Sequence, residues 1–273
     1  MLKKYRLTPG KKVDFKVFDP RDTGNFQDRA DAAEAVTDLR EKLVHEQDKL
    51  FASKKQSVLF IFQGMDCSGK DGVIKHVFSG MNQQGLRAHS FKAPTTEELS
   101  HDFLWRAHKI VPARGEIATF NRSYYEDVLI TRVHGVTSDK QAKRNFRHIK
   151  HFEKLLSDNS VKVVKIFIHI SKEFQLEKLI ERLEKQHKHW KFDPGDLGER
   201  EYWDTYMKYY EEALEKCSSN EAPWYIVPGD ERWYRDYVVL QIALTTLQDM
   251  NLNYPDLNPE YAPLLEKLRA EQE

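Results

Sequence analysis

A short apolar run that ends in a glycine-bearing loop constrains the fold more than any other feature of the sequence. Residues 57–62 (SVLFIF) form the run, and residues 64–70 follow it in the pattern G-x-x-x-x-G-K. A continuous apolar run of this length is typical of a strand buried on both faces. The loop glycines let successive backbone N–H groups converge on phosphate oxygens, and the dipole of a following helix adds to the attraction. A plain strand–turn–helix connection is the alternative.

Strand-sized apolar runs alternate with helical periodicity along the rest of the chain. Strands are predicted at 57–62, 86–91, 115–120, 161–170 and 224–228, and helices at 26–52, 73–78, 97–111, 124–133, 140–155, 173–183, 201–214 and 233–247. This alternation favours crossover units and a parallel sheet covered on both faces. We therefore expect one α/β domain over residues 1–273, with about five strands. Its attachments would be an arm (1–25), a helical lid (176–210) and a C-terminal tail (250–273).

The overall charge argues against an extended basic surface. Lys and Arg number 43 and Asp and Glu number 43, so we expect neither a nucleic-acid nor a membrane partner. Two cysteines imply no disulfide framework, and no apolar run approaches the ~20 residues that span a bilayer. The sequence therefore predicts a cytoplasmic protein.

The residue after the loop lysine points to an unusual metal site. Nucleotide hydrolases of the phosphate-loop class carry Ser or Thr there to hold Mg²⁺, whereas this chain has Asp71. Asp66 lies inside the loop, where a carboxylate would repel phosphate unless a cation lay between them. Asp66 is therefore the predicted metal ligand, and a surface capping role is the alternative.

A second polar segment follows the predicted strand at 115–120. It contains Asn121, Arg122, Glu126 and Asp127. Ligands of open α/β sheets gather beyond the carboxyl ends of the strands, so this segment should lie beside the loop. Arg122 can bind phosphate through two donors, and Glu126 or Asp127 could complete the metal shell. A helix start capped by Asn121 or Ser123 is the alternative, and both can hold together.

Two basic segments stand out against the neutral whole. The first contains Lys140, Lys143, Arg144, Arg147, Lys150 and Lys154, and the second contains Lys178, Arg182, Lys185, Lys188 and Lys191. A charge run is usually a solvated face, which is the default for each single lysine. Taken together beside a phosphate loop, they suit a polyanion longer than a nucleoside triphosphate. We expect Arg182 to act as a lid arginine.

Several motifs in order resemble the polyphosphate kinase 2 family. They are QGMDCSGKDG (63–72), DFLWR (102–106), FNRSYYED (120–127), HIS (169–171), WKF (190–192) and APWYIVP (222–228), and the resemblance runs from about Tyr5 to Tyr254. It implies a three-layer α/β/α phosphate-loop kinase fold like that of thymidylate kinases, with a lid. It also implies Mg²⁺, with Mn²⁺ as a substitute, and a homo-oligomer, either a dimer or a tetramer.

The resemblance also assigns site residues. The catalytic group would be Asp66, Lys70, Arg122 and Arg182, with Asp66 and Asp127 as metal ligands. The residues expected to bind phosphate and nucleotide are Gly64, Met65, Ser68, Gly69, Asp71, Gly72, Arg106, Asn121 and Glu126. The GKDG and YYED runs resemble the subgroup that acts on both AMP and ADP, and GMP and GDP are further expected substrates.

The expected reaction is in-line phosphoryl transfer between inorganic polyphosphate and a purine nucleotide. Positioning and charge neutralisation would supply the catalysis. The acceptor is itself a phosphate oxygen, ionised near neutral pH, so no general base is required. The alternatives are an ATP-dependent nucleoside or nucleotide kinase of the same fold and, third, a non-catalytic polyphosphate-binding protein.

Overall fold

A five-stranded parallel sheet forms the centre of the protein. The computed structural model describes residues 2–271. The strands are β1 (Ser57–Gln63), β2 (Leu86–Ser90), β3 (Ile117–Asn121), β4 (Val161–His169) and β5 (Trp224–Pro228), in the spatial order β2-β3-β1-β4-β5. Every residue of β1 is buried, as expected for the central strand of a sheet covered on both faces. The predicted α/β class and strand count are confirmed.

Eleven α-helices accompany the sheet within residues 2–271. They are α1 (Ala33–Ser53), α2 (Lys70–Val77), α3 (Thr96–Leu99), α4 (Trp105–His108), α5 (Ile130–Val133), α6 (Asp139–Asp158), α7 (Lys172–Glu184), α8 (Gly195–Glu201), α9 (Trp203–Cys217), α10 (Arg232–Gln248) and α11 (Ala262–Ala270). Six 3-10 helices lie at Leu2–Lys4, Phe15–Val17, Gln83–Gly85, Tyr124–Val128, Gln186–Lys191 and Pro259–Tyr261. Helix α10 packs against α1 and α2, and α6 packs on β4 and α9. No helix among the described residues is long and apolar enough to cross a membrane.

Four helix predictions need correction. The predicted helix 26–52 begins only at Ala33, and 97–111 is divided into α3 and α4. The division follows from Asp102, whose carboxylate accepts the Leu104 amide at 3.0 Å and so competes with helical hydrogen bonding. The predicted helix 124–133 is a 3-10 helix followed by α5, and α10 is not the last helix, because α11 lies within the predicted tail.

The sheet register brings the two functional segments together. Strand β1 lies between β3 and β4, with Phe62 opposite Asn121 and Gln63 opposite Phe167. Because all three strands are parallel, the loop after β1 and the segment after β3 leave the sheet at the same edge. The Arg122 amide donates to the carbonyl of Phe62 at 3.0 Å and continues this pairing beyond the strands.

The N-terminal arm covers the β5 side of the sheet. The Leu7 amide donates to Trp224 O at 2.9 Å, and the Ile226 amide donates to Tyr5 O at 2.9 Å. These antiparallel bonds satisfy backbone groups that an open sheet edge would leave exposed. Further along the arm, Phe15 stacks on Phe167 with ring centroids 4.7 Å apart. The arm is therefore part of the folded body.

Candidate functional site: a phosphate loop between two cavities

The loop between β1 and α2 requires its two glycines for geometric reasons. Gly64 has φ of 150°, and a Cβ there would lie 2.7 Å from the backbone oxygen of Ile168. Gly69 has φ of 84°, and a Cβ there would collide with the guanidinium of Arg235. Side chains are strained at such positive φ values, so the loop can turn this tightly only with glycine. The helix that follows, α2, begins at Lys70.

Lys70 lies inside the loop. Its ammonium donates to the carbonyl oxygens of Gly64 and Met65 at 2.7 and 3.2 Å, and the residue is 8% exposed. Burial lowers the pKa of Lys70, and the neighbouring Asp66 carboxylate opposes that effect. Lys70 therefore brings a positive charge to the base of the loop, within the cavity that the loop borders.

Asp66 faces Arg122 across the loop. The Arg122 guanidinium donates to the Asp66 carboxylate at 2.7 Å, and Gln175 of α7 donates to the Asp66 backbone oxygen at 3.1 Å. Burial would raise the pKa of Asp66, but the charges of Lys70 and Arg122 outweigh it and hold the pKa below its usual range. Asp66 is thus a carboxylate at neutral pH in a strongly positive setting.

The segment after β3 supplies the opposite wall. Arg122 has φ of 60°, a left-handed conformation that a non-glycine residue rarely adopts. Asn121 donates its side-chain amide to Asp71 of α2. Ser123 accepts the Tyr125 amide at 3.2 Å, so the capping interpretation of this segment is confirmed, and its functional role stays a prediction.

Glu126 lies behind these residues and is partly buried. Its carboxylate accepts the side-chain amide of Gln63 at 3.1 Å. Burial raises the pKa of Glu126, and the charges of Arg122 and Lys70 oppose that effect. Glu126 therefore contacts the end of β1 through Gln63 and does not line the cavity that Asp66 faces.

A cavity of about 490 Å³ opens in front of the loop. The predicted site residues that line it are Asp66, Gly69, Lys70, Asp71, Gly72, Asn121, Arg122 and Arg182. Gly64, Met65 and Ser68 belong to the loop itself, where Met65 and Ser68 are buried. Arg182 reaches the cavity from α7 and pairs with Asp196 of α8 at 2.5 Å. We call this space the loop cavity.

A second cavity of about 750 Å³ lies on the β2 and β3 side, and we call it the α6 cavity. Arg106 and Asp127 line it together with Gln141, Asn145 and His148 of α6. The structure therefore places Asp66 and Asp127, the two expected metal ligands, in the walls of different cavities.

The two cavities share a wall. Arg106 donates to the carbonyl oxygen of Lys92 at 2.9 Å and lies over the ring of Phe91, 5.0 Å from its centroid. Arg106 lines the α6 cavity, whereas Phe91 and Lys92 line the loop cavity. A ligand that occupied both cavities would pass Arg106, Phe91 and Lys92.

Asp127 provides a prediction about stability. Burial raises its pKa to about 6, opposed in part by Arg106. An unfolded Asp titrates near pH 4, so the native state binds the extra proton between about pH 4 and 6, and stability falls as pH rises through that window. At high pH the native state carries the free-energy cost of burying the ionised Asp127 carboxylate. Replacing Asp127 with Asn removes that cost, and we expect a gain of about 2 kcal/mol in unfolding free energy at pH 8.

Urea unfolding of wild type and Asp127→Asn at pH 4 and pH 8 checks this expectation. The gain should be present at pH 8 and largely absent at pH 4, where the native carboxyl group is protonated and the unfolded one is about half protonated. A variant less stable than wild type at pH 8 would mean that the attraction of Arg106 outweighs desolvation.

Three basic residues of the loop cavity were missed from the sequence: Lys92, Arg232 and Arg235. Arg235 of α10 is 1% exposed and donates to the carbonyl of Ser68 at 3.3 Å, so it supports the loop from below. Its neighbour Asp236 accepts two further bonds from the same guanidinium, at 2.8 and 2.6 Å. Arg232 lines the cavity one turn earlier. The sequence did contain a signal for Arg235: it is an arginine among the apolar residues of a helix predicted to be buried.

Comparison with known proteins agrees with this geometry. The model of the polyphosphate kinase 2 family matches residues 26–255. An AMP/ADP-polyphosphate phosphotransferase of Meiothermus ruber is 43% identical over 96% of this chain and 97% of its own length. An ADP-polyphosphate phosphotransferase of Rhodopseudomonas palustris is 39% identical over 98% and 97%, respectively.

A solved structure extends the match to three dimensions. The crystal structure of polyphosphate kinase 2 from Arthrobacter aurescens TC1 superposes with a TM-score of 0.90, at 40% identity, and covers 97% of this chain and 96% of that one. The phosphate-loop kinase fold expected from the sequence is therefore confirmed. The chain belongs to the polyphosphate kinase 2 family.

Proposed function

We propose that this protein transfers phosphoryl groups between inorganic polyphosphate and AMP or ADP, with Mg²⁺ as cofactor. The observation that carries the proposal is the positive charge of the loop cavity. Nine lysines and arginines line it, compared with five aspartates and glutamates. The cations are Lys70, Lys92, Arg122, Lys178, Arg182, Lys188, Lys191, Arg232 and Arg235. This number exceeds what one nucleoside triphosphate needs and suits a longer polyanion.

The loop is suited to hold the phosphate that is transferred. The charges of Lys70, Arg122 and Arg182 all act on Asp66, and these residues line the same cavity. Fixed cations of this kind stabilise the charge that spreads over the phosphoryl oxygens in the transition state. The acceptor is an ionised phosphate oxygen, so positioning by these residues replaces a general base.

Asp66 fits a Mg²⁺ site in which substrate completes the coordination. Among residues 2–271 no group of three or more His, Cys, Asp or Glu side chains could hold a metal. Mg²⁺ is commonly bound by one or two carboxylates plus substrate phosphates and water, which a single ionised Asp66 satisfies. When bound, the ion would neutralise charge on the phosphates. Mn²⁺ has similar ligand preferences and should substitute.

The α6 cavity is the proposed nucleotide site. Its volume of about 750 Å³ falls within the range of ordinary small-molecule pockets. Apolar walls from Phe103, Leu104 and Phe152 suit a base, and Arg106 lies at the wall shared with the loop cavity. The names of the relatives support AMP and ADP as substrates, and GMP and GDP are further candidates.

Other parts of the proposal rest on the family resemblance and on the composition of the sequence. The predicted lid, residues 176–210, spans the end of α7, a 3-10 helix, α8 and the start of α9, and carries Trp190 with 79% of its surface exposed. We propose that it closes over polyphosphate. A homodimer or tetramer and a cytoplasmic location also stay predictions, as does the absence of a nucleic-acid partner.

A matrix of donors and acceptors tests the proposal. Purified protein with Mg²⁺ or Mn²⁺ would receive polyphosphate or ATP as donor, and AMP, ADP, GMP or GDP as acceptor. We expect ATP to form from ADP and ADP to form from AMP, in both cases with polyphosphate. Transfer from ATP to a nucleoside or nucleotide in the absence of polyphosphate would favour an ATP-dependent kinase, and tight polyphosphate binding without turnover would favour the binding protein.

Two variants control for contaminating kinases. Lys70→Met should lose activity with every donor because it removes the charge inside the loop. Lys75→Met changes an exposed lysine on the same helix, outside the residues that line either cavity, and should behave as wild type. Activity that survives in Lys70→Met would belong to another protein or refute the role of the loop.

A further inference from the structure

A single carboxylate binds three lysines at the lid side of the loop cavity. Glu181 of α7 lies 2.5 Å from Lys185, 2.6 Å from Lys188 and 3.5 Å from Lys178. The side chains of Glu181, Lys178 and Lys188 are only 19%, 22% and 25% exposed. All three line the loop cavity. We call Glu181 and these three lysines the lid cluster.

The lid cluster and the loop contribute different elements to the lining of one cavity. Arg182, the next residue of α7, contributes to the electrostatic environment of Asp66. Successive residues of a helix point about 100° apart, so Glu181 and its lysines are directed to another part of the same cavity. A phosphate chain held at the loop would reach the lid cluster only through phosphates further along the polymer.

Glu181 competes with those phosphates for the same cations. Hydrogen bonds from Lys185 and Lys188 lower the pKa of Glu181 to about 2. The carboxylate is therefore ionised at every working pH, and protonation does not free the lysines. A polyanion that binds here must displace Glu181, as one anion replacing another.

We propose that Glu181 sets the dependence of this enzyme on polyphosphate chain length by occupying a distal phosphate subsite formed by Lys178, Lys185 and Lys188. This inference rests on the proposed function. A long polymer displaces the carboxylate at the lid cluster while its end is held at the loop. Tripolyphosphate is held at the loop, and most of its binding is independent of Glu181.

The test compares KM for tripolyphosphate and for a long polyphosphate in wild type and Glu181→Gln, with ADP saturating. Gln keeps the size of the side chain and removes the competing charge. We expect KM for the long polymer to fall about threefold to tenfold, because one partly buried carboxylate no longer competes with phosphate for the lysines. The fall for tripolyphosphate should be smaller. For the long polymer alone, the slope of log KM against the logarithm of the salt concentration should increase by about one, which corresponds to one additional ion released on binding.

Two further variants make the test specific. Glu184→Gln removes an exposed carboxylate from the same helix, outside the lid cluster and the loop cavity, and should leave both KM values as in wild type. Lys188→Gln removes one of the subsite cations and should raise KM for the long polymer more than for tripolyphosphate. Melting temperatures of all variants verify that they are folded.

The outcomes separate the inference from the proposed function. No turnover of polyphosphate by wild type would refute the proposed function. If wild type is active but Glu181→Gln shows an unchanged or raised KM for the long polymer, the carboxylate orients the lysines and the inference is wrong. An equal fall for both donors would also overturn it, because Glu181 would then act at the reacting end.

Discussion

Asp66→Asn is expected to lower kcat by about a thousandfold or more, because the variant loses the one loop carboxylate suited to hold Mg²⁺ against the phosphates. The amide keeps the shape of the side chain but carries no charge. Steady-state assays with ADP and polyphosphate at several Mg²⁺ concentrations measure the effect. A residual rate that does not respond to Mg²⁺ is the expected signature.

The fold should survive this substitution. The Arg122 side chain is 42% exposed, so loss of its partner leaves a partly solvated cation. We expect only a small decrease in melting temperature, measured at pH 7. The wild-type pKa of Asp66 is lowered, so its contribution to stability is present at neutral pH and is lost as pH falls through the folded pKa. A folded variant with near-normal turnover would refute the metal role.

Lys165→Met is expected to produce the largest loss of stability. The Lys165 ammonium, 0% exposed, donates to Glu153 at 2.5 Å and to the carbonyl of Cys217 at 2.6 Å. Removing it leaves the Glu153 carboxylate, 3% exposed, without a cation. Breaking one side of a buried ion pair costs about 3–5 kcal/mol. Guanidinium unfolding at pH 7 measures the loss.

A double variant separates the lost charge from the lost packing. Lys165→Met with Glu153→Gln removes both charges, and we expect it to recover more than half of the single-variant loss, since no unpaired charge remains. Burial raises the pKa of Glu153, and Lys165 opposes that effect, so the single variant should be least impaired at low pH. Equal stability of Lys165→Met and wild type would mean that Glu153 is uncharged in the native protein.

The same buried pair positions the site. Tyr124 and Tyr125 donate to the other Glu153 oxygen at 3.0 and 2.8 Å, and they immediately precede Glu126. Loss of Lys165 should therefore lower kcat in the protein that remains folded. A variant that is destabilised but keeps full kcat at low temperature would show that the segment after β3 is held by other contacts.

The sequence by itself determined the five strands, the parallel sheet and the glycine loop that follows β1. These features depend on neighbouring residues: the apolar run 57–62 predicts a buried strand, and only glycine accepts the φ values at Gly64 and Gly69. The resemblance in six motifs identified the family correctly, because their order along the chain is as specific as their composition.

Only the tertiary structure decided which side chains share a cavity. Asp127 and Asp66 follow parallel strands that end at the same edge of the sheet, yet they line different cavities. Arg106 lines the cavity of Asp127, and Phe91 lines the cavity of Asp66. Arg235 is 170 residues beyond Met65 in the chain but supports the loop, because α10 packs against α2. Local patterns determine backbone elements, whereas the direction of each side chain depends on the packing of distant helices, which a single sequence does not specify.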